Sequence, residues 1–371
     1  MSTKSLLLFS FFLLIVSCGK DDDPQPKPDP EPDPDPPVVV DFLELSMATI
    51  KFGANGDASL VVVKTNDNWR ASCNEEWISL SADEGNKSTG FIVGASANKK
   101  FSREATITIS SDDKTKEIKV LQSGVSSIEF EVNGVKFSLL PVEADTTFSL
   151  DGSTYLAQRD VYLDSYFISE TEITNAQWHA ITGNLPYDME DSKPNLPVVV
   201  NWNDISEKFL PKLKDAIDYN FRLPTENEWE VAARGGKKDQ NTSYAGGIEI
   251  DEVAWHWGNS EGRKHNVGLK APNELGLFDM SGNVSEWCSD WYAQWTEENK
   301  PPAEANNPTG PESGTEKVIR GGDFSADRFE YDRNSCRVTT RNYLPPDINT
   351  PGFLFDGYYH HTGFRLVIPK N

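Results

Sequence analysis

The chain has 371 residues, 37% of them hydrophobic, and carries a formal charge of −23 at neutral pH. That length and apolar content suit two folded domains with ordinary buried cores. The strongly negative field argues against nucleic acid as a partner and disfavours anionic membrane surfaces, because nothing would neutralise their phosphates.

Residues 1–17 read as an export signal: Lys4 supplies the positive start, and LLLFSFFLLIVS is an apolar run too short for a comfortable membrane span. The run ends in IVSC, which resembles the lipobox of bacterial lipoproteins and implies that Cys18 is diacylated and becomes the mature N-terminus. A plain secretory signal with a chance cysteine is the other reading. Lipid on Cys18 would anchor the protein to a membrane. Residues 18–41 then run through GKDDDPQPKPDPEPDPDPP, where proline and charge leave nothing to bury, so the segment is expected to stay extended as a stalk. As polyproline II, residues 24–37 would reach about 40 Å at roughly 3 Å per residue. The KDDD after Cys18 resembles the surface-export signal of Bacteroidetes lipoproteins. It implies an outer-membrane, cell-surface location, with a periplasmic orientation left open.

Residues 42–124 alternate polar and apolar positions in short runs rich in Val, Ile and Thr: ATIKFGA, ASLVVVKT, WRASC, EWISLSA, GFIVGASA, EATITISS and KEIKVLQSG. Their length and spacing predict an immunoglobulin-like β-sandwich. From Asp67 to Gly124 the sequence resembles a BACON domain, on Trp69, Trp77, the Asn98 turn, the SREATITI strand and the closing LQSG. The resemblance implies company with carbohydrate-active proteins and hence glycan binding. Read as residues alone, Trp69 and Trp77 are equally core side chains of a spacer.

The second domain, 127–370, mixes helices with irregular segments, an α+β pattern rich in loops. ETEITNAQWHAITGN predicts a helix with Thr174 and Gln177 as a capping box and Gly183 as its stop. NWNDISEKFLPKLKDAI predicts a second, with Asp204 near its start and Pro211 placed to split it. LPTENEWEVAARGG predicts a third, capped by Thr225 and Glu228 and ended at Gly235. Its three carboxylates look like an acid/base site but have structural duties. Glu228 belongs to the cap, Glu226 faces the helix dipole, and Glu230 stands four residues before Arg234.

FRLPTENEWEVAARGG, APNELGLFDMSGNVSEWCSDWY, VIRGGDF, CRVTTR and GFRLV follow one another in this order. Together they resemble the formylglycine-generating enzyme family, also called sulfatase-modifying factor domains, which implies a loop-rich, C-type-lectin-like fold. Active members hold copper(I) between two thiolates and oxidise a sulfatase cysteine, and soft Cu(I) needs soft sulfur. Carried over from that pattern, the two thiol positions fall on Ala326 and Tyr331, and the serine of the RGGS turn is Asp323. The copper oxidase centre is therefore not expected. Cys336 matches a later cysteine associated with structure. Sharing a domain with Cys288 in an oxidising compartment, it is expected to form a disulfide worth about 4 kcal/mol in the chain-entropy model. Cys73 reads as a small buried apolar residue.

In the family the loop matching DMSGNVSEW binds calcium, which implies Asp279 and Glu286 as carboxylate ligands and Gly282 and Val284 as carbonyl donors. The other reading is a loop closed by its own hydrogen bonds. A second family calcium site would fall vaguely around Asn259. Trp255, Trp257, Trp287, Trp291 and Tyr292 either line a groove or fill the core. The histidines offer no HxxxH or HExxH pair, and His360 and His361 are expected on opposite faces of a strand. The sequence thus points to a surface-anchored lipoprotein whose second domain binds a glycan or a partner protein. The rival is an enzyme, either a sulfatase-maturing oxidase or a divergent chemistry built on Asp323, Tyr331, Arg333 and Arg337.

Overall fold

In the computed structural model the described residues are 41–150, 158–186, 193–294, 306–326, 335–348, 353–355 and 358–370. The export signal, Cys18 and the stalk lie outside them, as do Tyr331 and Arg333. Among the described residues no helix is long and apolar enough to cross a membrane.

The seven alternating runs all become strands, and two short ones join them: β1 (Leu43–Leu45), β2 (Thr49–Phe52), β3 (Asp57–Thr65), β4 (Asn68–Ser72), β5 (Ile78–Leu80), β6 (Glu84–Asn86), β7 (Thr89–Ala95), β8 (Arg103–Ser111) and β9 (Lys114–Gln122). They form two sheets, ordered β1-β3-β7-β5 and β2-β9-β8-β4-β6. The period-two alternation puts Val61, Val63, Phe91 and Val93 of one sheet and Ile50, Trp69, Ile107, Ile109 and Val120 of the other into a shared core. Trp69 is among the most deeply buried side chains, so it serves the core rather than a surface. Trp77 is half-buried, with the Arg103 guanidinium over its ring at 4.3 Å. Asn98 fixes its turn by donating to the carbonyls of Phe101 and Ser123.

Beyond Gly124 the strands are β10 (Ile128–Val132), β11 (Val135–Val142), β12 (Thr146–Leu150), β13 (Arg159–Leu163), β14 (Tyr166–Ser169), β15 (Ser285–Trp291), β16 (Lys317–Arg320), β17 (Arg341–Leu344), β18 (Phe353–Phe355), β19 (Tyr358–His360), β20 (Thr362–Gly363) and β21 (Val367–Pro369). Asn133 and Gly134, both at positive φ, turn β10 into β11. The last strand returns to pair antiparallel with β14 in the sheet β10-β11-β14-β21. A second four-stranded sheet runs β17-β16-β15-β20, with β15 and β20 parallel. Aromatic pairs hold the centre: Trp178 stacks on Phe209 at 5.2 Å, and Phe101 lies tilted against Phe167 at 4.3 Å.

The helices begin and end where their caps predict. α1 (Asn175–Thr182) has both halves of the Thr174/Gln177 box and stops at Gly183 in the left-handed conformation. The second predicted helix is broken into α2 (Trp202–Asp204), a wide π turn (Ile205–Phe209) and α3 (Leu210–Ala216). Pro211 sits in the first turn of α3, where its missing N–H costs nothing. α4 (Glu226–Ala233) has the Thr225/Glu228 box, and a single turn, α5 (Ile250–Val253), follows.

Candidate functional site

The three acids of α4 are all consumed by arginine. Glu228 completes the cap and also takes both arms of Arg222, at 2.6 and 2.7 Å. Glu226 takes both arms of Arg341, each at 2.7 Å. Glu230 accepts from Arg159 and Arg320 at 2.8 Å and from Arg234 at 3.1 Å, with no solvent contact. Burial alone would raise its pKa, but the three guanidinium groups bring it down to about 2. No proton donor or acceptor is left over for catalysis, and the helix is a structural hub.

The expected calcium loop is braced from outside at almost every residue. Gly282 has φ 79°, and a Cβ there would meet the Trp255 carbonyl oxygen at 2.3 Å, so only glycine fits. Asn283 donates from its backbone to Trp255, and its side chain bonds Glu172 and His265. Val284 donates its N–H to Glu172 at 3.0 Å. Asp279 accepts from Gly268 through Oδ2, while its Oδ1 is buried without a hydrogen-bond partner. Glu286 accepts from Arg365 Nε on both oxygens, at 2.8 and 2.9 Å, and from Trp229 Nε1 at 2.7 Å. Arg365 also reaches the carbonyls of Ser169, Glu170 and Phe278.

The charge balance of this loop is unusual. Glu172, Asp279 and Glu286 are all buried, and Arg365 is the guanidinium that offsets them. Burial first, and repulsion from Asp279 and Glu286 second, push Glu172 well above the usual carboxylate range. Burial likewise raises Asp279 and Glu286. Glu172 was not legible as a partner of this loop, because it lies more than a hundred residues upstream. Among the described residues no three His, Cys, Asp or Glu side chains converge as a metal cluster. A site made of Asp279 and backbone carbonyls would have hard oxygen donors of the kind calcium takes, and the orphaned Oδ1 fits that chemistry. Glu286, with both oxygens already bonded by the Arg365 and Trp229 N–H groups, supplies charge more than a free ligand position. Asn259 bonds Asp251, Ala254 and His256, bracing its own turn.

The turn that follows β16 carries Ala326, the first of the positions carried over for the two thiols; the second, Tyr331, lies outside the described residues. Gly321 and Gly322 have φ 91° and 68°, and a Cβ on Gly322 would lie 2.8 Å from the Ser335 carbonyl carbon. These glycines aim Asp323 inward. Its Oδ1 accepts from the Ser325 N–H and hydroxyl, and its Oδ2 from the His361 N–H at 3.1 Å and ring Nδ1 at 3.3 Å. Burial opposes ionisation of Asp323, but the His361 contacts and the Ser325 bonds hold its pKa below the usual value. The ring of His361 lies 4.3 Å from that of Phe324. The Ala326 N–H closes the turn on the Asp323 carbonyl, and its own carbonyl accepts from Trp257. Ala326 is a buried methyl. Arg337 is exposed and Arg333 lies outside the described residues, while Asp323 bonds a histidine that the sequence alone does not place beside it.

The expected Cys288–Cys336 disulfide is not formed; both are buried thiols, and Cys73 is a half-buried one. Cys288 sits on β15 within an apolar cluster with Val318 and Val338, and burial pushes its thiol well above its usual pKa. It behaves as a small core residue. The aromatic residues do not line one groove. Trp287 is core, Trp255 stacks on His265, Trp291 covers the Lys317 ammonium at 3.8 Å, Tyr292 lies against Tyr343, and Trp257 is 43% exposed.

Residues 139–369 match the family model of the sulfatase-modifying factor enzyme 1-like domain, and residues 67–123 match BACON, a putative binding domain. The formylglycine-generating enzyme of Thermomonospora curvata is 34% identical over 225 residues, which are 53% of this chain and 62% of that enzyme. The chain therefore spans less than two thirds of that relative. The chaperone protein LppX of Paenibacillus barcinonensis is 31% identical over 196 residues, 39% of this chain and 69% of that protein. Among solved structures, Treponema denticola variable protein 1 superposes with a TM-score of 0.54 at 27% identity, over 66% of this chain and 99% of that one. PvdO from Pseudomonas aeruginosa, at 20% identity and a TM-score of 0.50, shares the fold.

Proposed function

From the premise that this chain belongs to the sulfatase-modifying factor enzyme 1-like family, we propose that its second domain is a binding domain and not a copper oxidase. The carrying observation is Ala326: where an oxidase of this family needs its first thiolate, this chain has a buried methyl group. Tyr331 takes the second place in the sequence. Cys288 cannot substitute, since burial pushes its thiol well above its usual pKa and so disfavours the thiolate that copper(I) requires, and Cys336 is buried as well.

The proposal extends to the rest of the chain. Cys18 carries lipid, the proline-rich stalk holds the folded part away from the outer membrane, and an immunoglobulin-like BACON sandwich precedes a C-type-lectin-like domain at the cell surface. The ligand is a glycan or a partner protein. Calcium belongs to the same reading, with Asp279 and the carbonyls of Gly282 and Val284 as donors, and with Glu286 adding negative charge. A divalent cation there would offset the buried acids that Arg365 alone does not balance.

The likeness to formylglycine-generating enzymes favours the rival, an oxidase or a divergent enzyme on the same scaffold. Incubation with copper(I) and a CxPxR peptide separates the two. The binding reading expects no change in peptide mass, and conversion of the peptide cysteine to formylglycine would falsify it.

A further inference from the structure

We propose that the sandwich is docked rigidly on the second domain through Phe101, so that the two turn together as one body and residues 123–127 are not a hinge. Two domains move against each other when a free linker and a polar contact join them. Neither condition holds here. Phe101 lies in the loop between β7 and β8 of the sandwich, yet it is 5% exposed and belongs to the second domain's cluster with Ile128, Phe137, Leu139 and Phe167. It has no part in the sandwich core built on Val61, Phe91 and Ile107. Its ring lies 4.3 Å from that of Phe167 on β14. Drawing a phenylalanine out of such a cluster returns about 150 Å² or more of side-chain contact to water, which opposes any swing of the sandwich.

The linker is bound to the same loop. Asn98 is buried, and its Nδ2 donates to the carbonyls of Phe101 at 2.6 Å and Ser123 at 3.1 Å, while its Oδ1 accepts the Lys100 N–H at 3.1 Å. Ser123 donates its own N–H to the Phe52 carbonyl at 3.0 Å, and Val125 donates to the Lys100 carbonyl at 2.9 Å. Between them Gly124 passes so close to the loop that a Cβ would lie 2.6 Å from the Lys100 carbonyl oxygen and 2.7 Å from the Phe101 carbonyl carbon. Val125 then packs against the cluster that holds Phe101, and the chain enters β10 at Ile128, a member of that cluster. A bend at residues 123–125 would therefore break the Asn98 and Val125 bonds and withdraw Phe101 together. The described residues from Phe42 onward accordingly form one compact unit. A ligand or partner meets the two domains at a fixed separation and direction, and this holds whether the second domain binds or catalyses.

The test places a ketone-bearing residue, for attachment of a nitroxide, at Leu60 on the sandwich and at Leu269 on the second domain of the full chain, both exposed positions. Pulsed dipolar spectroscopy should give one narrow distance distribution. Phe101→Ala should broaden it, with unchanged amide exchange in β8 and α4 showing that both domains remain folded. Gly124→Ala pushes the linker off the loop without cutting either core. It should broaden the distribution as well and speed exchange at the Val125 amide by about tenfold or more. Should Phe101→Ala unfold the second domain, Gly124→Ala alone decides. A broad distribution in the parent, or one that stays narrow in either folded variant, would overturn the docking. Neither result bears on the copper assay, so the docking and the binding reading fail separately.

Discussion

Glu230→Gln tests whether the α4 hub holds the second domain together. The carboxylate is fully buried, and its three arginines hold its pKa at about 2 against an ordinary 4.5. At about 1.4 kcal/mol per pH unit, that difference contributes on the order of 3 kcal/mol at neutral pH. Glutamine keeps the shape but removes the charge and leaves Arg159, Arg234 and Arg320 short of a partner. Arg159 Nη1 and Arg320 Nε already lack hydrogen bonds, so they have little reserve. Breaking one side of such a buried cluster costs about 3–5 kcal/mol. The folded-state pKa is depressed, so the stabilisation is fully present above pH 4.5 and is lost as pH falls toward 2. Urea unfolding of both proteins across that range, with amide exchange in α4 and β16 marking the second domain, should show a gap of about 3–5 kcal/mol at pH 7. The gap should narrow steadily below pH 4.5. A variant within 1 kcal/mol of the parent at neutral pH, or a gap independent of acid, would refute the hub.

Asp290 titrates with the opposite sign: burial and then Glu226 raise its pKa to about 6. The folded state binds that proton more tightly than the unfolded chain, so stability falls as pH rises from about 4 to 6. Asp290→Asn should therefore gain on the parent over that interval and run parallel above it in denaturation curves. Millimolar calcium should raise the second domain's melting temperature over a chelated sample, by the equivalent of about 2.7 kcal/mol at a hundredfold excess over Kd. Asp279→Asn should abolish the rise, and identical melting with and without chelator would remove calcium from the account. Gly282→Ala forces a Cβ to 2.3 Å from the Trp255 carbonyl at φ 79° and should cost several kcal/mol, read as a large fall in melting temperature. Unfolding in iodoacetamide without reductant should alkylate both Cys288 and Cys336; two unmodified cysteines would restore the disulfide.

What the sequence made legible was local chemistry. The Thr174/Gln177 and Thr225/Glu228 boxes are three-residue signals, and both helices start on them. The β-branched runs of the sandwich alternate with a period of two, and each became a strand. Long-range partners left no such trace. Arg159 meets Glu230 across 71 positions, Arg341 meets Glu226 across 115, and Glu172 meets Val284 across 112. The family resemblance could place Glu286 in an expected calcium loop, but nothing in DMSGNVSEW announces that Arg365 will cover its oxygens. Cysteine counting failed for a related reason, since sharing a domain does not bring two thiols to bonding geometry. His361 was set aside because its neighbour is also histidine and no ligand spacing was present. Its significance lies in Asp323, 38 residues earlier, and in the glycines that turn that side chain inward.

Hub and turn are held by separate sets of bonds. Glu226, Glu228 and Glu230 tie α4 to Arg341, Arg222, Arg159 and Arg320, and so fix β13, β16 and β17 against one helix. None of those ion pairs involves residues 321–326. The turn is instead positioned by backbone bonds, Gly282 to Gly321, Phe324 to Asn283 and Trp257 to Ala326, which are indifferent to the side chains displayed. The side chain at position 326 can therefore vary without disturbing the backbone hydrogen bonds that hold the loop. An aspartate at 323 needs more, because a buried carboxylate must be satisfied. Here Ser325 and His361 satisfy it, so the aspartate also fixes the imidazole of a part-buried histidine. Asp323→Ser should therefore deprive the His361 N–H and ring of their shared acceptor and cost about 1–3 kcal/mol, read as a fall in the second domain's melting temperature, and a variant melting with the parent would refute the requirement.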